Sequence, residues 1–380
     1  MKLIFLYIPA LFLLTCTSQT DQVYLFDPSI LIEKNADLSD IANDIIYTKI
    51  DNTYPVDLIN QIIITDNSIF ISSGQGIIKY NRDGKIPVRI GKKGRGPGEY
   101  IYNTCFAVDE IKGYVYVKDR GNVIKVFSGN GKYCRSVILN NYKGDIEKID
   151  FFDSRIFVSF YLEFGNAEYN WILLDSLGNL VKAKKRTVPD FKSNWLAEGG
   201  TYRYNKNLYY WNPYIDTVAS VRADKDNKVS FIFSPGKFRL PRSVFNVDEK
   251  ITQYMLIRTL FETNRFVVLK YSYNKTGVIA LIDKINHNYW VNQVSSFNNG
   301  GIMNDIDAGP DFQPVQYFTD DDSEYMVSII NSFELKNHVS NDSFRSSYSK
   351  LPEKKKELET LANNLNETDN PVIMMVKLKE

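Results

Sequence analysis

The chain has 380 residues, enough for one large domain or two of ordinary size. Its 46 basic and 45 acidic side chains leave a formal charge of +1, so no global field recruits nucleic acid or an anionic membrane surface. Aromatic residues make up 14% of the chain and charged residues 24%, which excludes a disordered polymer and predicts a well-packed core.

The N-terminus carries Lys2 and then an almost unbroken apolar run, Leu3 to Leu14. This is the layout of a secretory signal. The run is shorter than the roughly 20 residues that a membrane-spanning helix needs. Cys16 follows at once, in Leu13-Leu14-Thr15-Cys16, and the stretch resembles the lipobox of bacterial lipoproteins. That resemblance implies cleavage before Cys16 and a lipid on its thiol. A plain signal peptide with an incidental Cys is the simpler alternative. The expected organisation is a signal peptide over 1–15, a lipidated tether and lead-in over 16–43, and a single domain over 44–380.

From Ile45 onward, short runs rich in Ile, Val, Tyr and Phe alternate with Gly, Asn and Asp clusters, the pattern of strands and tight turns. Ile62 to Thr65, Ile69 to Ser72 and Ile77 to Tyr80 lead to the turn Asn81-Arg82-Asp83-Gly84. Phe106 to Val108, Tyr114 to Val117 and Val123 to Phe127 lead to Gly131. Ile149 to Phe152, Ile156 to Ser159 and Trp171 to Leu174 lead to Gly178. These turn glycines recur at steps of about 47 residues, near the length of a four-stranded propeller blade. Fainter copies run from Leu208 to Asp226-Asn227 and from Phe266 to Asn286-His287-Asn288. A partial one covers Pro314 to Ile330, giving five full units and one incomplete. Pro352 to Leu365 carries Leu358, Leu361 and Leu365 at helical spacing, while Ser340 to Ser349 reads as a loop. The last strand, Val372 to Leu378, is placed to complete the partial unit or to pair with the first.

Cys105 and Cys134 fall on non-adjacent strands and are expected as two buried free thiols. His287 and His338 lie far apart with no cysteine nearby, so neither a zinc site nor a His-based triad is supported. No Ser, Cys or Thr has an evident base partner, and no catalytic residue or metal ligand is assigned.

Two segments stand out chemically. Gly91 to Tyr100 reads GKKGRGPGEY after the strand Val88 to Ile90. Its plainer reading is an inter-blade loop that needs special backbone angles. Its functional reading places Lys92, Lys93, Arg95 and Glu99 near the central channel, where an anionic or sugar ligand docks. It is no phosphate loop, because no Gly-Lys-Ser/Thr and no helix follow. Asn304 to Pro314 reads NDIDAGPDFQP and brings together Asn304, Asp305, Asp307 and Asp311. Solvated turn acids are the plainer reading; Asp305 and Asp307 as ligand contacts, or oxygen ligands for Ca²⁺, are the alternative. Asp320 to Asp322 reads as a hairpin tip. Tyr209, Tyr210, Trp211 and Tyr214 read as strand core before a sugar-stacking platform.

GKKGRGPGEY, NDIDAGPDFQP, the closing Asp369-Asn370-Pro371 and the Cys16 lipobox together resemble the six-bladed β-propeller lipoproteins of Bacteroides-type bacteria. The resemblance implies an all-β, six-bladed β-propeller with a short amphipathic helix before the closing strand. It also implies a place in the cell envelope, lipid-anchored to the outer membrane. The expected role is a non-enzymatic module that binds a small molecule, a glycan or a protein, with no nucleic-acid partner and no cofactor. A propeller hydrolase or lyase, with Ca²⁺ in its channel, is the alternative.

Overall fold

The computed structural model describes residues 24–26, 34–193, 198–215, 217–224, 228–233, 240, 252–294, 300–320 and 323–379, with backbone alone at 24–26 and 231–233. Cys16 and the signal segment lie outside these residues, as do Asp226-Asn227 and Asp321-Asp322.

The described chain begins with β1 (Tyr24–Phe26), helix α1 (Leu38–Ile41) and β2 (Ala42–Lys49). Blade 1 is β3 (Ile59–Ile64), β4 (Ser68–Ser73), β5 (Gly76–Asn81) and β6 (Val88–Ile90). Blade 2 is β7 (Phe106–Asp109), β8 (Tyr114–Asp119), β9 (Val123–Ser128) and β10 (Tyr133–Ile138). Blade 3 is β11 (Ile146–Phe152), β12 (Arg155–Phe160), β13 (Tyr169–Asp175) and β14 (Leu180–Lys185). Blade 4 is β15 (Gly200–Tyr204), β16 (Asn207–Trp211), β17 (Thr217–Val221) and β18 (Val229–Phe233), with β1 added in parallel to β18. Blade 5 is β19 (Leu256–Glu262), β20 (Phe266–Tyr273), β21 (Thr276–Asp283) and β22 (Tyr289–Val294). Blade 6 contains β23 (Gln316–Asp320) and β24 (Ser323–Ile330). Three helices follow, α2 (Ser332–Ser340), α3 (Asp342–Ser346) and α4 (Pro352–Asn363), and then β25 (Val372–Leu378).

Each blade is an antiparallel meander, and its first strand packs against the first strands of its neighbours: β3 on β7, β7 on β11, β15 on β19, β19 on β23 and β23 on β3. Asp150 of β11 closes the remaining step by accepting from Thr201 Oγ1 (2.9 Å) and Arg203 Nη2 (2.8 Å) of β15. The molecule is therefore a six-bladed β-propeller. Inner strands are apolar on both faces because a blade lies on each side: β4 is buried along its whole length. The outer strand β14 leaves Leu180 and Val181 exposed.

The recurring glycines have a common physical cause. Each sits in the turn between the third and fourth strands with positive φ: 79° at Gly84, 85° at Gly131 and 101° at Gly178. That turn presses on the outer strand of the preceding blade. A Cβ on Gly84 would collide with the Lys49 carbonyl of β2, and one on Gly131 with the Arg89 carbonyl of β6. At Gly178 it would lie 2.6 Å from Val137 of β10. Blade 5 meets the same backbone need with His287, at φ 56°.

The ring closes in blade 6, whose order is β2–β25–β24–β23. The C-terminal strand β25 completes the partial unit and also pairs with β2, so strands from before the first blade and from the chain's end share one sheet. Asp369-Asn370-Pro371 acts as the clasp. Asn370 Nδ2 donates to Asp51 O (2.7 Å) and Tyr54 O (2.8 Å), its Oδ1 accepts from Val56 N (2.7 Å), and its N–H donates to Asn52 Oδ1 (2.8 Å). Asp369 holds Lys49 at 2.7 Å.

Two expectations need correction. Cys105 is buried, but Cys134 is exposed, because β10 is an outer strand facing solvent along one side. Ser340 to Ser349 is not all loop: it contains α3, and α2 precedes it. Leu335 and Val339, one helical turn apart, anchor α2 in the core, and Phe344 anchors α3. Residues 34–41, read as lead-in, dock on blades 5 and 6 through the Lys34–Val291 and Asp37–Met303 bridges.

Candidate ligand-binding face

In a four-stranded meander, the second turn and the crossing to the next blade emerge on the same face. Both sequence motifs are such crossings. GKKGRGPGEY leaves β6 for blade 2, and NDIDAGPDFQP leads from β22 into β23. The helices α2–α4, inserted between β24 and β25, rise on this same face.

The first crossing is pinned by its own polar groups. Tyr100 is buried; its hydroxyl accepts from Ile77 N and donates to Ile90 O, both at 3.0 Å, and its ring meets Phe127 edge-on. Glu99 Oε2 accepts from Gly96 N (2.8 Å), and Oε1 lies 3.8 Å from Lys92 Nζ. Lys125 donates to the Glu99 carbonyl and pairs with Asp119 (3.1 Å), whose other oxygen accepts from Ile101 N and Tyr102 N. Lys93 Nζ reaches back to Gly74 O (2.7 Å). Glu99 is thus occupied inside the loop. Lys92 and Arg95 are exposed, and Arg95 has no partner among the described residues.

The second crossing lies under the helical insert. Asp305 accepts from Ser39 N (2.9 Å), Ser39 Oγ (2.6 Å) and Lys350 Nζ (2.7 Å), tying α1 and the segment before α4 to the loop. Asp307 is fully buried; its Oδ1 accepts from Asn304 Nδ2 (2.6 Å) and Gly309 N (2.8 Å), and burial raises its carboxyl above the ordinary range. Ala308 stands at φ 61°, a backbone position suited to Gly, and its carbonyl accepts from His338 Nε2 of α2 (2.8 Å). The structure brings Asn304, Asp305 and Asp307 into one loop but turns the two carboxylates to different partners. Lys92, Lys93, Arg95 and Glu99 lie four blades away in chain order. Among the described residues no three His, Cys, Asp or Glu side chains gather as a metal set.

A third group on this face has no counterpart in the sequence reading. Glu147 opens β11 with 6% exposure, and Glu163, 1% exposed, follows β12. Glu147 accepts from Ser159 Oγ (3.0 Å) and from Gly199 N, and burial pushes its carboxyl up to about 8, with Glu163 adding to the rise. Tyr210, Trp211 and Tyr214 are buried beside them as core. Tyr209 stacks on Tyr202 with ring centres 5.0 Å apart.

Residues 23–377 match the family described as Domain of unknown function (DUF4934). The chain belongs to this family. Of solved structures, a "Putative exported protein" of Bacteroides fragilis matches with TM-score 0.68 at 19% identity, covering 94% of this chain and 99% of its own. Virginiamycin B lyase of Staphylococcus aureus matches at TM-score 0.44 and 10% identity, over 88% of this chain and 99% of its own. BamB of Moraxella catarrhalis matches at TM-score 0.40 and 13% identity, over 74% of this chain and 75% of its own. The first likeness concerns the fold, and the other two are looser. No curated protein matches the sequence.

In this DUF4934 chain the basic motif was visible because glycines and charges cluster in eight consecutive residues. Glu147 and Glu163 were not, since neither sits in a motif that sets it apart from the other acids of its strand-rich stretch. The β11–β12 hairpin sets the start of β11 beside the end of β12, and Gly199, which leads into blade 4, then reaches Glu147.

Proposed function

We propose that this protein is a non-enzymatic propeller lipoprotein of the cell envelope that binds an anionic ligand, a small molecule or an acidic glycan, on its crossing face. The observation that carries this reading is Arg95. The loop around it satisfies its own polar groups through Glu99, Tyr100 and Lys125, yet leaves this guanidinium unpaired and exposed beside Lys92 and Lys93. A planar fork of donors on a rigid loop suits carboxylate or sulfate recognition. On the same face, in the crossing from blade 5 to blade 6, Asp305 ties down the segment before α4 and Asp307 fixes its own loop. The anchor is Cys16, lipidated after cleavage and set in the outer membrane. The name of the Bacteroides fragilis relative agrees with export.

A screen of acidic glycans and organic anions, followed by Arg95→Ala and Lys92→Ala, tests the site. Loss of a charge-assisted contact weakens binding about ten- to a hundred-fold. Wild-type affinity in both variants would return the loop to a purely structural role. Cys16→Ser should move the protein from the membrane pellet to the soluble fraction; an unchanged pellet would rule out the lipid anchor.

The hydrolase or lyase reading has one observation in its favour. Glu147 keeps its proton near neutral pH, as a general acid must. Its enclosure by Ser159 and Gly199 speaks for a structural role instead.

A further inference from the structure

The opposite face, where the first and third turns of each blade emerge, carries a cleft of about 470 Å³ between blades 3 and 4. Its lining is mixed: the half-buried Phe152 and Ala223 give it an apolar strip among polar side chains. Leu173 of β13 and Val221 of β17 belong to the cluster that packs the two blades together. Three cations stand at its walls: Arg155 at the start of β12, Lys206 in the turn before β16, and Arg222 just after β17.

These cations differ in how they are satisfied. Arg155 uses Nη1 for both of its bonds to Asp153, to the carbonyl and to the carboxylate. Lys206 is exposed on a turn with φ 55°. Arg222 Nε is buried and has no acceptor among the described residues. The Nε itself is closed to anything as large as water, but the rest of this guanidinium also has no acceptor among the described residues and can take an anion at the edge of the cleft. Among the described lining residues, two carboxylates, Asp153 and Asp224, stand against the three cations and leave a formal charge of +1. That balance suits a monoanion better than a dianion. The volume lies in the range of small-ligand sites.

We propose that this cleft binds a small organic carboxylate with an apolar body, the carboxylate accepting from Arg222 and the body lying against Phe152 and Ala223. It is separate from the crossing face and does not depend on what that face binds. The probe is 4-phenylbutyrate, titrated calorimetrically into the full chain, with 4-phenylbutyramide as its neutral counterpart. Saturable binding of the carboxylate, at least about ten-fold tighter than the amide, is expected. Arg222→Gln should weaken it about ten- to a hundred-fold, since a charge-assisted bond is lost. Ala223→Phe, which fills the cleft from its half-buried wall, should abolish it. Arg95→Ala, on the other face, should keep the binding that Arg222→Gln weakens. Each variant is first checked for a native melting transition. Equal affinity for carboxylate and amide, no saturation by the wild type, or unchanged binding in folded Arg222→Gln or Ala223→Phe would overturn the proposal. Loss of binding in Arg95→Ala would place the probe on the crossing face and overturn it as well.

Discussion

Asn370 shows how much one side chain can hold. Its amide and backbone make four hydrogen bonds to residues 51–56, more than 300 positions earlier in the chain. Asn370→Ala leaves half-buried backbone groups of that loop without this partner and should cost about 1–3 kcal/mol, read by chemical denaturation. A loss under about 0.5 kcal/mol would mean that water replaces the amide. Glu147 makes a pH-dependent prediction. Its carboxyl titrates near 8 in the folded protein and near the ordinary value of 4.5 when unfolded. Between these values the folded state binds the extra proton, so its contribution is fully present below about 4.5 and is lost as pH rises through 8. At ~1.4 kcal/mol per pKa unit, the wild type should lose a few kcal/mol from pH 5 to pH 8, and Glu147→Gln should flatten that slope. Parallel pH profiles for the two proteins would assign the loss to other groups. The string Asp369-Asn370-Pro371 was legible in the sequence, but not its partners. Ala308 takes positive φ, a backbone position that suits glycine, and nothing local in the string announces it.

At the level of elements, the turn glycines at even spacing gave the blade repeat. The structure supplies its cause, a turn that presses on the preceding blade's backbone. Gly131→Ala should therefore destabilise by about 1–3 kcal/mol, through positive φ and the collision with the Arg89 carbonyl together. A neutral result would show that the turn can retreat from β6. The closing strand is the stronger case. Removing residues 370–380 takes β25 away from both β2 and β24. The truncated chain should fail to accumulate in soluble form or melt at least about 10 °C lower. An unaltered melting temperature would mean that β2 re-pairs directly with β24. The helices α2 and α3 were missed because their apolar residues are few. Leu335, Val339 and Phe344 provide anchors without a long amphipathic stripe, and Ser and Asn crowd the rest.

At the scale of the whole molecule, closure within blade 6 makes the ring a single unit, since every first strand packs between two others. Calorimetric unfolding of the purified protein should give one cooperative transition. Two resolved transitions would show that blades unfold in separate groups. The sequence alone determined the repeat, the count of blades and the closing strand. Strand periodicity, turn glycines and apolar runs are local properties, and local properties survive in a string of letters. Tertiary structure alone decided which polar groups meet. It joined Asn370 to the 51–56 loop, Glu147 to Gly199 and Ser159, and Arg222 to a cleft between two blades. It also occupied Glu99 while leaving Arg95 free. The reason is geometric: a radial array sets side by side residues that lie one blade or a whole ring apart in sequence, and one chain records nothing of that adjacency.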